Sequence, residues 1–312
     1  MMQNFSSNAT TEDPGRPSQA VVPSVILSLC FLVGIPGNIW VIVTILRHFK
    51  KDNFTLKLML NLAFFDIMCL FTVPGCVHNM LHGWNLGSAS CKILYYILFC
   101  SLYGSVLTVT LMSVQRFLQV LYSQYWAKVR GSGERVLLGS LWMAACVIAS
   151  PTISAMNLTE KSGHLLCWYD FTSDLERLAT SITETVFGFV IPFSIMVTSY
   201  CCLYKKLNQT AFFHSQRMTK LVTSLVLAFF IFWSPVHIFN ILEVTFILLK
   251  PADSQASADL KEFYDTSDQI TASLVFLNSC VDPFLYAFAA RHIRGNPESN
   301  KRTQDASTSN AS

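Results

Sequence analysis

Seven long apolar stretches restrict the folds that this chain can adopt. They cover roughly residues 21–46, 57–81, 91–122, 136–156, 178–204, 219–249 and 268–290. Each reaches the ~20 residues that a helix needs to cross a bilayer. Only 13% of the residues are charged, against about 25% in soluble domains. Because backbone polar groups in lipid must be satisfied within the protein, the sequence predicts an all-α bundle of seven transmembrane helices over residues 21–290.

Polar segments flank this bundle on both sides. Residues 1–20 contain Pro14, Gly15 and Pro17 among polar residues, and we expect a disordered tail there rather than a cleaved signal peptide. Residues 291–312 begin with a basic segment and continue as a Ser/Thr-rich stretch. We expect a short amphipathic cytoplasmic helix followed by a disordered tail.

The basic residues predict the orientation. One side of the predicted bundle receives few of the 22 Lys and Arg residues, namely Arg16, Lys92, Lys161, Arg177, Lys250 and Lys261. The remaining basic residues fall on the other side, which the positive-inside rule assigns to the cytoplasm. The sequence therefore predicts a multi-pass plasma membrane protein with an extracellular N-terminus and a cytoplasmic C-terminus.

Two features depend on that orientation. The sequons at Asn4, Asn8 and Asn157 would lie outside the cell, where they can be glycosylated. Cys91, at the start of the third stretch, and Cys167, in the loop after the fourth, would both face an oxidising compartment. We therefore expect a disulfide between them that ties this loop to the third helix.

Three charged residues lie inside apolar stretches: Asp66, Arg116 and Asp282. A charge at the centre of a membrane helix costs roughly 2.5–3.5 kcal/mol on insertion scales. Such residues usually face the interior of a bundle and are more often functional than incidental.

A series of short motifs accompanies these charges in a fixed order. The sequence contains Gly37-Asn38, Asn61-Leu62-Ala63 with Asp66, Trp84, Ser113-Val114-Gln115-Arg116-Phe117, Trp142, Pro192 with Tyr200, Phe232-Trp233-Ser234-Pro235 and Asp282-Pro283-Phe284-Leu285-Tyr286. Together they resemble the rhodopsin-like (class A) G-protein-coupled receptors. The segment from Trp233 to Glu243, and that from Tyr103 to Leu107, are further similar to leukotriene B4 receptors and the related chemoattractant group.

The resemblance implies an activation machinery. Arg116 would hold the cytoplasmic helix ends together in the inactive state and contact the G protein in the active state. The other implied switch residues are Gln115, Tyr200, Phe229, Trp233, Pro235, Asp282, Pro283 and Tyr286. Trp233 would act as a rotamer switch that repacks with Phe229, and the kink at Pro235 would act as a hinge.

The residue before Arg116 departs from the family pattern. The family usually has Asp there, whereas this chain has Gln115, and Ser215 supplies no acid from the sixth helix. A salt bridge that restrains the inactive state is therefore absent or weaker, and we hypothesise raised basal activity. Gln115→Asp should then lower ligand-free signalling.

Asp66 and Asp282 would line a polar pocket inside the membrane. Ser105, Asn278 and Ser279 would complete it. Two neighbouring carboxylates repel each other, so one is protonated or a cation lies between them. The resemblance implies Na⁺ that favours the inactive state, and a protonated pair without an ion is the alternative. No other cofactor is expected.

The outer cavity is the expected ligand site. Its candidate residues are Tyr95, Phe99, Leu102, Tyr103, Arg177, Glu184, His237, Asn240, Glu243 and Asp268. Polar groups on otherwise apolar helices suit an amphipathic ligand with an anionic end, and Arg177 would hold a carboxylate. The subfamily has a second arginine where this chain has Met156, so a related oxidised fatty acid is an alternative to leukotriene B4.

The implied partners are a lipid mediator, a heterotrimeric G protein of the inhibitory class, arrestin and membrane lipids, and no nucleic acid. The sequence contains no phosphate-binding loop, metal cluster or nucleophile triad, so we expect no enzyme. Two alternatives stay open. Gln115 and Ser123, where the family usually has Pro, are compatible with a decoy or scavenger that binds ligand without signalling. A receptor for another chemoattractant, such as a peptide, is the second.

Overall fold

The computed structural model describes residues 16–48, 53–129, 131–161, 163–207, 216–249 and 270–287. Within these residues, seven helical segments are long and apolar enough to cross a membrane. This confirms the predicted all-helical bundle of seven spans. The expected cytoplasmic helix from residue 291 and residues 1–15 of the expected N-terminal tail lie outside the described residues. Residues 16–20, which we expected to be disordered, belong to the first helix.

The seven spans have the following bounds. The first is Arg16–His48, the second consists of Phe54–Phe71 and Val73–His82, and the third is Ser88–Leu121. The fourth consists of Ser132–Ala149 and Thr152–Ala155, the fifth of Asp174–Thr185, a π-helical turn at Val186–Val190 and Ile191–Leu207, and the sixth is Gln216–Leu249. The seventh is Ile270–Ala287. A short helix at Ser123–Val129, here called the loop helix, follows the third span.

Prolines explain the two interrupted spans. A proline lacks the backbone N–H that would continue the helical hydrogen-bond pattern. The second span breaks at Thr72, and Pro74 lies in the first turn of its second half. The fourth span breaks at Ser150 and Pro151. The helix of the sixth span, by contrast, continues through Pro235.

The segment after the fourth span, which we expected to be a loop, forms a β-hairpin. Strand β1 (Met156–Lys161) pairs antiparallel with β2 (His164–Tyr169), and Leu158 lies opposite Cys167. Cys167 is bonded to Cys91 of the third span, with their Cα atoms 5.6 Å apart, which confirms the predicted disulfide. The end of the bundle that carries this hairpin is called the hairpin end below, and the other is called the loop-helix end.

Asn79 of the second span fixes the hairpin a second time. Its side-chain amide donates to the backbone oxygen of Cys167, and its side-chain oxygen accepts from the backbone N–H of Cys167, both at 2.9 Å. The hairpin is therefore held to the second and third spans at the same residue. The last residue of β2, Tyr169, contacts Phe99 of the third span and Glu184 of the fifth.

Candidate functional site

Glu184 joins three elements at the hairpin end. One of its carboxylate oxygens accepts from the hydroxyl of Tyr169 on β2 at 2.9 Å, and the other accepts from the amide of Asn240 on the sixth span at 3.4 Å. Phe99 of the third span lies edge-on to Tyr169, with ring centroids 6.4 Å apart. The structure therefore brings three of the predicted ligand residues, Phe99, Glu184 and Asn240, to one place.

A second polar group lies nearer the hairpin end of the fifth and sixth spans. Arg177 forms an ion pair through Nε with Glu243, and the hydroxyl of Ser181 donates to the other oxygen of Glu243 at 2.7 Å. Glu243 is buried, whereas 42% of the Arg177 side chain is exposed. Arg177 also lies in the first turn of a helix that begins at Asp174, four residues earlier than the predicted span.

His237 lies deeper, under these polar groups. It is buried, and both ring nitrogens lack a hydrogen-bond partner within the described residues. The imidazole stacks on Phe189 and on Trp233, at centroid distances of 4.9 and 5.8 Å. The ring of Trp233 in turn contacts Phe229 at 5.2 Å. His237 is thus in direct contact with the predicted rotamer switch.

Gly188 permits the close approach of these side chains. It lies within the π-helical turn of the fifth span, a distortion that is frequent at functional sites. A Cβ atom at this position would lie 3.4 Å from the Tyr103 ring and 3.5 Å from the His237 ring. A side chain larger than a methyl group would therefore push into the space between these two predicted ligand residues.

A cavity of about 270 Å³ lies beside Tyr169 and Glu184, between the fourth and fifth spans. It is lined by Tyr103, Tyr169 and Glu184, and further by Ile148, Thr152, Thr183 and others of these spans. The cavity is partly open. Hydroxyl groups and carboxylates alternate with apolar groups along its wall, so it suits an amphipathic guest.

Of the predicted ligand residues, Tyr103 and Glu184 line this cavity, and the other described ones are not among its lining residues. Tyr95 accepts a hydrogen bond from Asn79 at 3.3 Å, and Leu102 packs in the apolar core. Asp268 lies outside the described residues. Sequence reasoning missed Tyr169, Ser181 and Gly188. The alternation of side chains on a strand would have placed Tyr169 on the same face as Cys167, but only if the hairpin had been predicted.

The structure places Asp66 and Asp282, the two acidic residues of the apolar spans, close together. Asp66 and Asp282 are buried and interact electrostatically. The hydroxyl of Ser105 donates to Asp66 at 3.0 Å, and the amide of Asn278 donates to Asp282 at 3.4 Å. Ser279 is buried beside them, and its backbone oxygen accepts from Asn38 at 2.9 Å.

This pocket retains unused oxygen atoms. One carboxylate oxygen of Asp66, one of Asp282 and the amide oxygen of Asn278 are buried without a partner in the described part of the chain, as is the hydroxyl of Tyr286. Oxygen ligands of this kind suit a hard cation. In the described residues no group of three or more His, Cys, Asp or Glu side chains could hold a metal, so a site here would depend on two carboxylates and neutral oxygens.

The predicted switch residues of the loop-helix end are buried. Arg116 is 8% exposed and interacts electrostatically with Tyr200 of the fifth span. Gln115 is 1% exposed, and its side-chain oxygen accepts from the hydroxyl of Thr55 on the second span at 3.1 Å. Tyr286 is buried as well, and Pro283 packs against Gly37 of the first span, where a Cβ atom would lie 3.0 Å away.

Of the predicted glycosylation sites, Asn157 lies on β1 and is partly buried, with its amide donating to Ser154 at 3.2 Å. Asn4 and Asn8 lie outside the described residues. Met156, at the position of the subfamily's second arginine, starts β1 and is 1% exposed.

The sequence matches a known protein family over most of its length. Residues 37–286 match the family described as 7 transmembrane receptor (rhodopsin family). The chain belongs to this family. Its members are receptors that bind a ligand and act on heterotrimeric G proteins, and they are not enzymes.

Individual relatives narrow the comparison. The chain is 34% identical to leukotriene B4 receptor 1 of Rattus norvegicus over 292 residues, which cover 93% of this chain and 82% of the relative. It is 32% identical to the Homo sapiens protein of the same name over 290 residues, with 92% and 82% covered. It is also 31% identical to the C3a anaphylatoxin chemotactic receptor of Danio rerio over 297 residues, with 94% and 78% covered. The chain is therefore related to chemoattractant receptors.

Proposed function

We propose that this chain is a cell-surface receptor for an anionic lipid mediator of the leukotriene B4 type, and that it activates heterotrimeric G proteins of the inhibitory class. The observation that carries the proposal is the partly exposed guanidinium of Arg177 at the hairpin end, on the same helix as Glu176, Thr180 and Glu184, which line the partly apolar cavity. The hairpin end would then be extracellular. The similarity to leukotriene B4 receptors supports the same ligand class.

The ion pair of Arg177 suggests how an anionic ligand would bind. A ligand carboxylate would take the place of Glu243 beside the guanidinium, so that one carboxylate is exchanged for another. Hydrogen bonds to charged groups contribute about 1.5–3 kcal/mol each. Glu243 would remain satisfied in part, because Ser181 donates to its second oxygen.

His237, the polar group that lies deeper, would form hydrogen bonds with hydroxyl groups on the ligand. The unpartnered nitrogens of His237 can both accept from and donate to a hydroxyl. A ligand bound there would press on the stack of His237, Trp233 and Phe229. Movement of these rings would transmit ligand binding to the half of the sixth span nearer the loop-helix end. This transmission is the signalling step that we propose.

We also propose that the pocket at Asp66 and Asp282 holds Na⁺. Asp66, Ser105, Asn278, Ser279 and Asp282 would hold the ion, which would neutralise the repulsion between the two carboxylates. The unpartnered oxygens described above support this assignment. Because the pocket joins the second, third and seventh spans, binding there would favour the arrangement in which these spans are packed together.

A basic chemoattractant peptide is the second candidate ligand. Among the described residues, the carboxylates of Glu176 and Glu184 line the cavity and no cationic side chain does. Glu243 adds a further carboxylate at the same end of the bundle, so a cationic group is favoured. The similarity to the C3a anaphylatoxin chemotactic receptor agrees with this possibility.

The deciding experiment measures G-protein activation in cells that express the chain, over a range of leukotriene B4 concentrations. Arg177→Ala should reduce potency roughly 10–100-fold, as expected for the loss of a charge-assisted hydrogen bond. Glu243→Gln should increase potency, because it removes the carboxylate that competes for Arg177. Lys92→Ala is the control, since it removes a cation at the same end of the bundle from the third span instead of the fifth.

The alternatives give different patterns. A basic peptide agonist should lose potency in Glu243→Gln, which is the opposite sign. Specific binding of leukotriene B4 without G-protein activation would point to a decoy receptor. Equal potency in wild type and Arg177→Ala would reject the anion clamp.

A further inference from the structure

Arg116 is held in the structure by a neutral side chain. Its Nη1 donates to the side-chain oxygen of Gln119, one turn further along the third span, at 3.3 Å. Nε is buried without a hydrogen-bond partner, and Arg116 has no ion pair with any carboxylate in the described residues. A buried guanidinium usually has an acidic partner, so the contact with Gln119 requires an explanation.

Gln119 is itself one member of a chain of hydrogen bonds. Its side-chain oxygen also accepts from the amide of Gln115 at 2.9 Å, because residues three and four positions apart share a helix face. The oxygen of Gln115 accepts from the hydroxyl of Thr55 at 3.1 Å. These hydrogen bonds connect Thr55 through Gln115 and Gln119 to Arg116, and we call this series of hydrogen bonds the amide relay.

The amide relay begins at Thr55, in the first turn of the second span, which is held by several contacts. Thr55 is 1% exposed, and its backbone N–H donates to the side chain of Asn53, which caps the helix, at 3.0 Å. On either side of Thr55, Phe54 packs against Trp126 of the loop helix at 5.4 Å, and Lys57 pairs with the buried Glu134 of the fourth span at 3.0 Å. The first turn of the second span is therefore fixed to three other elements.

The consequence concerns the freedom of Arg116. Through the relay, the rigid start of the second span determines where Gln115 and Gln119 lie, and Gln119 determines where the guanidinium points. Arg116 must leave Gln119 before it can reach a partner outside the bundle. Any change that weakens the relay therefore raises the fraction of molecules in which Arg116 is available.

We propose that Gln119 is the positioning residue that restrains Arg116 in the resting receptor, in place of a carboxylate. A neutral acceptor binds a guanidinium less strongly than a carboxylate does, so the restraint is present but weak. This inference depends on the proposed G-protein function only for its consequence in signalling, since the position of Arg116 is a property of the chain alone.

The test uses the purified full chain in lipid nanodiscs without ligand, and it has two readouts. The first is the rate at which phenylglyoxal modifies Arg116, followed by peptide mass spectrometry. The second is the basal rate of nucleotide exchange on an inhibitory-class G protein. Gln119→Met preserves the length of the side chain and removes its acceptor, and we expect both rates to rise about tenfold, within the usual range of coupling between two states.

Further variants separate the relay from a general loss of structure. Gln119→Glu should lower both rates below wild type, because it supplies a carboxylate to Arg116. Thr55→Val should raise both rates less than Gln119→Met does. The rates of the double variant should not exceed those of Gln119→Met, because both changes break the same series of hydrogen bonds. Gln124→Met makes the same chemical change at an exposed position of the loop helix and should match wild type.

Wild-type rates for Gln119→Met in both readouts would overturn the proposal, as would equal effects of Gln119→Met and Gln119→Glu. If the modification rates follow the expected order while no variant promotes nucleotide exchange, the amide relay stands and the proposed signalling function fails.

Discussion

Gly104 shows how closely single residues are fitted inside this bundle. It lies in the third span, facing Phe65 of the second, and a Cβ atom there would lie 2.3 Å from the Phe65 ring. That ring cannot move aside freely, because it stacks on Trp142 of the fourth span at a centroid distance of 4.2 Å. Trp142 is fixed in turn by a hydrogen bond to Asn61 at 2.9 Å.

Gly104→Ala should therefore destabilise the receptor. Overpacking of a well-fitted interior costs typically about 1–3 kcal/mol, and we expect a lower midpoint of thermal unfolding in detergent. Gly139→Ala is the matched control, because that glycine lies in the fourth span with no atom within 4 Å of an added Cβ. A Gly104→Ala midpoint equal to that of the control would show that the second and third spans can separate at no cost.

At the scale of elements, the hairpin depends on one amide as well as on the disulfide. Asn79 satisfies both backbone polar groups of Cys167, and the backbone N–H of Trp84 donates to Leu165 nearby. The disulfide limits how far the hairpin can move from the third span. The two hydrogen bonds of Asn79 hold the hairpin at a fixed distance from the second span.

Asn79→Ala should loosen the hairpin while the disulfide remains intact. It leaves the N–H and oxygen of Cys167 unsatisfied, at about 1–3 kcal/mol for a buried group. Hydrogen–deuterium exchange of peptides covering residues 156–169 should become faster. Asn85→Ala, which removes an exposed asparagine, should leave this exchange unchanged, and an unchanged rate in Asn79→Ala as well would contradict the role given to the amide.

The same elements show what sequence can predict. The spans were foreseen because hydropathy is a local property, and the structure differs from the predicted bounds by a few residues, as at Asp174. The hairpin was missed because its strands carry no strong alternating pattern. Asn79 was missed because its hydrogen bond to Cys167 joins residues 88 positions apart, and only the fold brings them together. Gln119 lies within one helical turn of Gln115 and Arg116, so its spacing was visible in the sequence, but the link to Thr55, 60 positions from Gln115, was not.

At the scale of the whole molecule, the carboxyl pocket links three spans, so its occupancy should affect the stability of the entire bundle. At about ten times its Kd, a bound ion contributes about 1.4 kcal/mol to the native state. We therefore expect NaCl to raise the unfolding midpoint relative to choline chloride at the same ionic strength. Asp66→Asn should abolish the difference, and a Na⁺ effect that persists in this variant would place the ion elsewhere.

The orientation of the molecule can be tested independently of any ligand. If the hairpin end is extracellular, the chain expressed in mammalian cells should lose mass on treatment with a peptide N-glycosidase. Asn4→Gln with Asn8→Gln should remove most of this shift, since Asn157 is partly buried on β1 and its amide is already bonded. A chain without any sugar, but with an N-terminal epitope accessible only after permeabilisation, would reverse the predicted orientation.

The π-helical turn at Val186–Val190 has a consequence for how the fifth span is compared with other sequences. Such a turn accommodates one residue more than an α-helical turn, so the helix before it is rotated by roughly 100° relative to a continuous helix. Deleting one residue in this turn would swing Glu184 away from Asn240 while Pro192 and Tyr200 keep their places. Counting positions back from Pro192 with regular helical spacing therefore assigns Arg177, Ser181 and Glu184 to the wrong face.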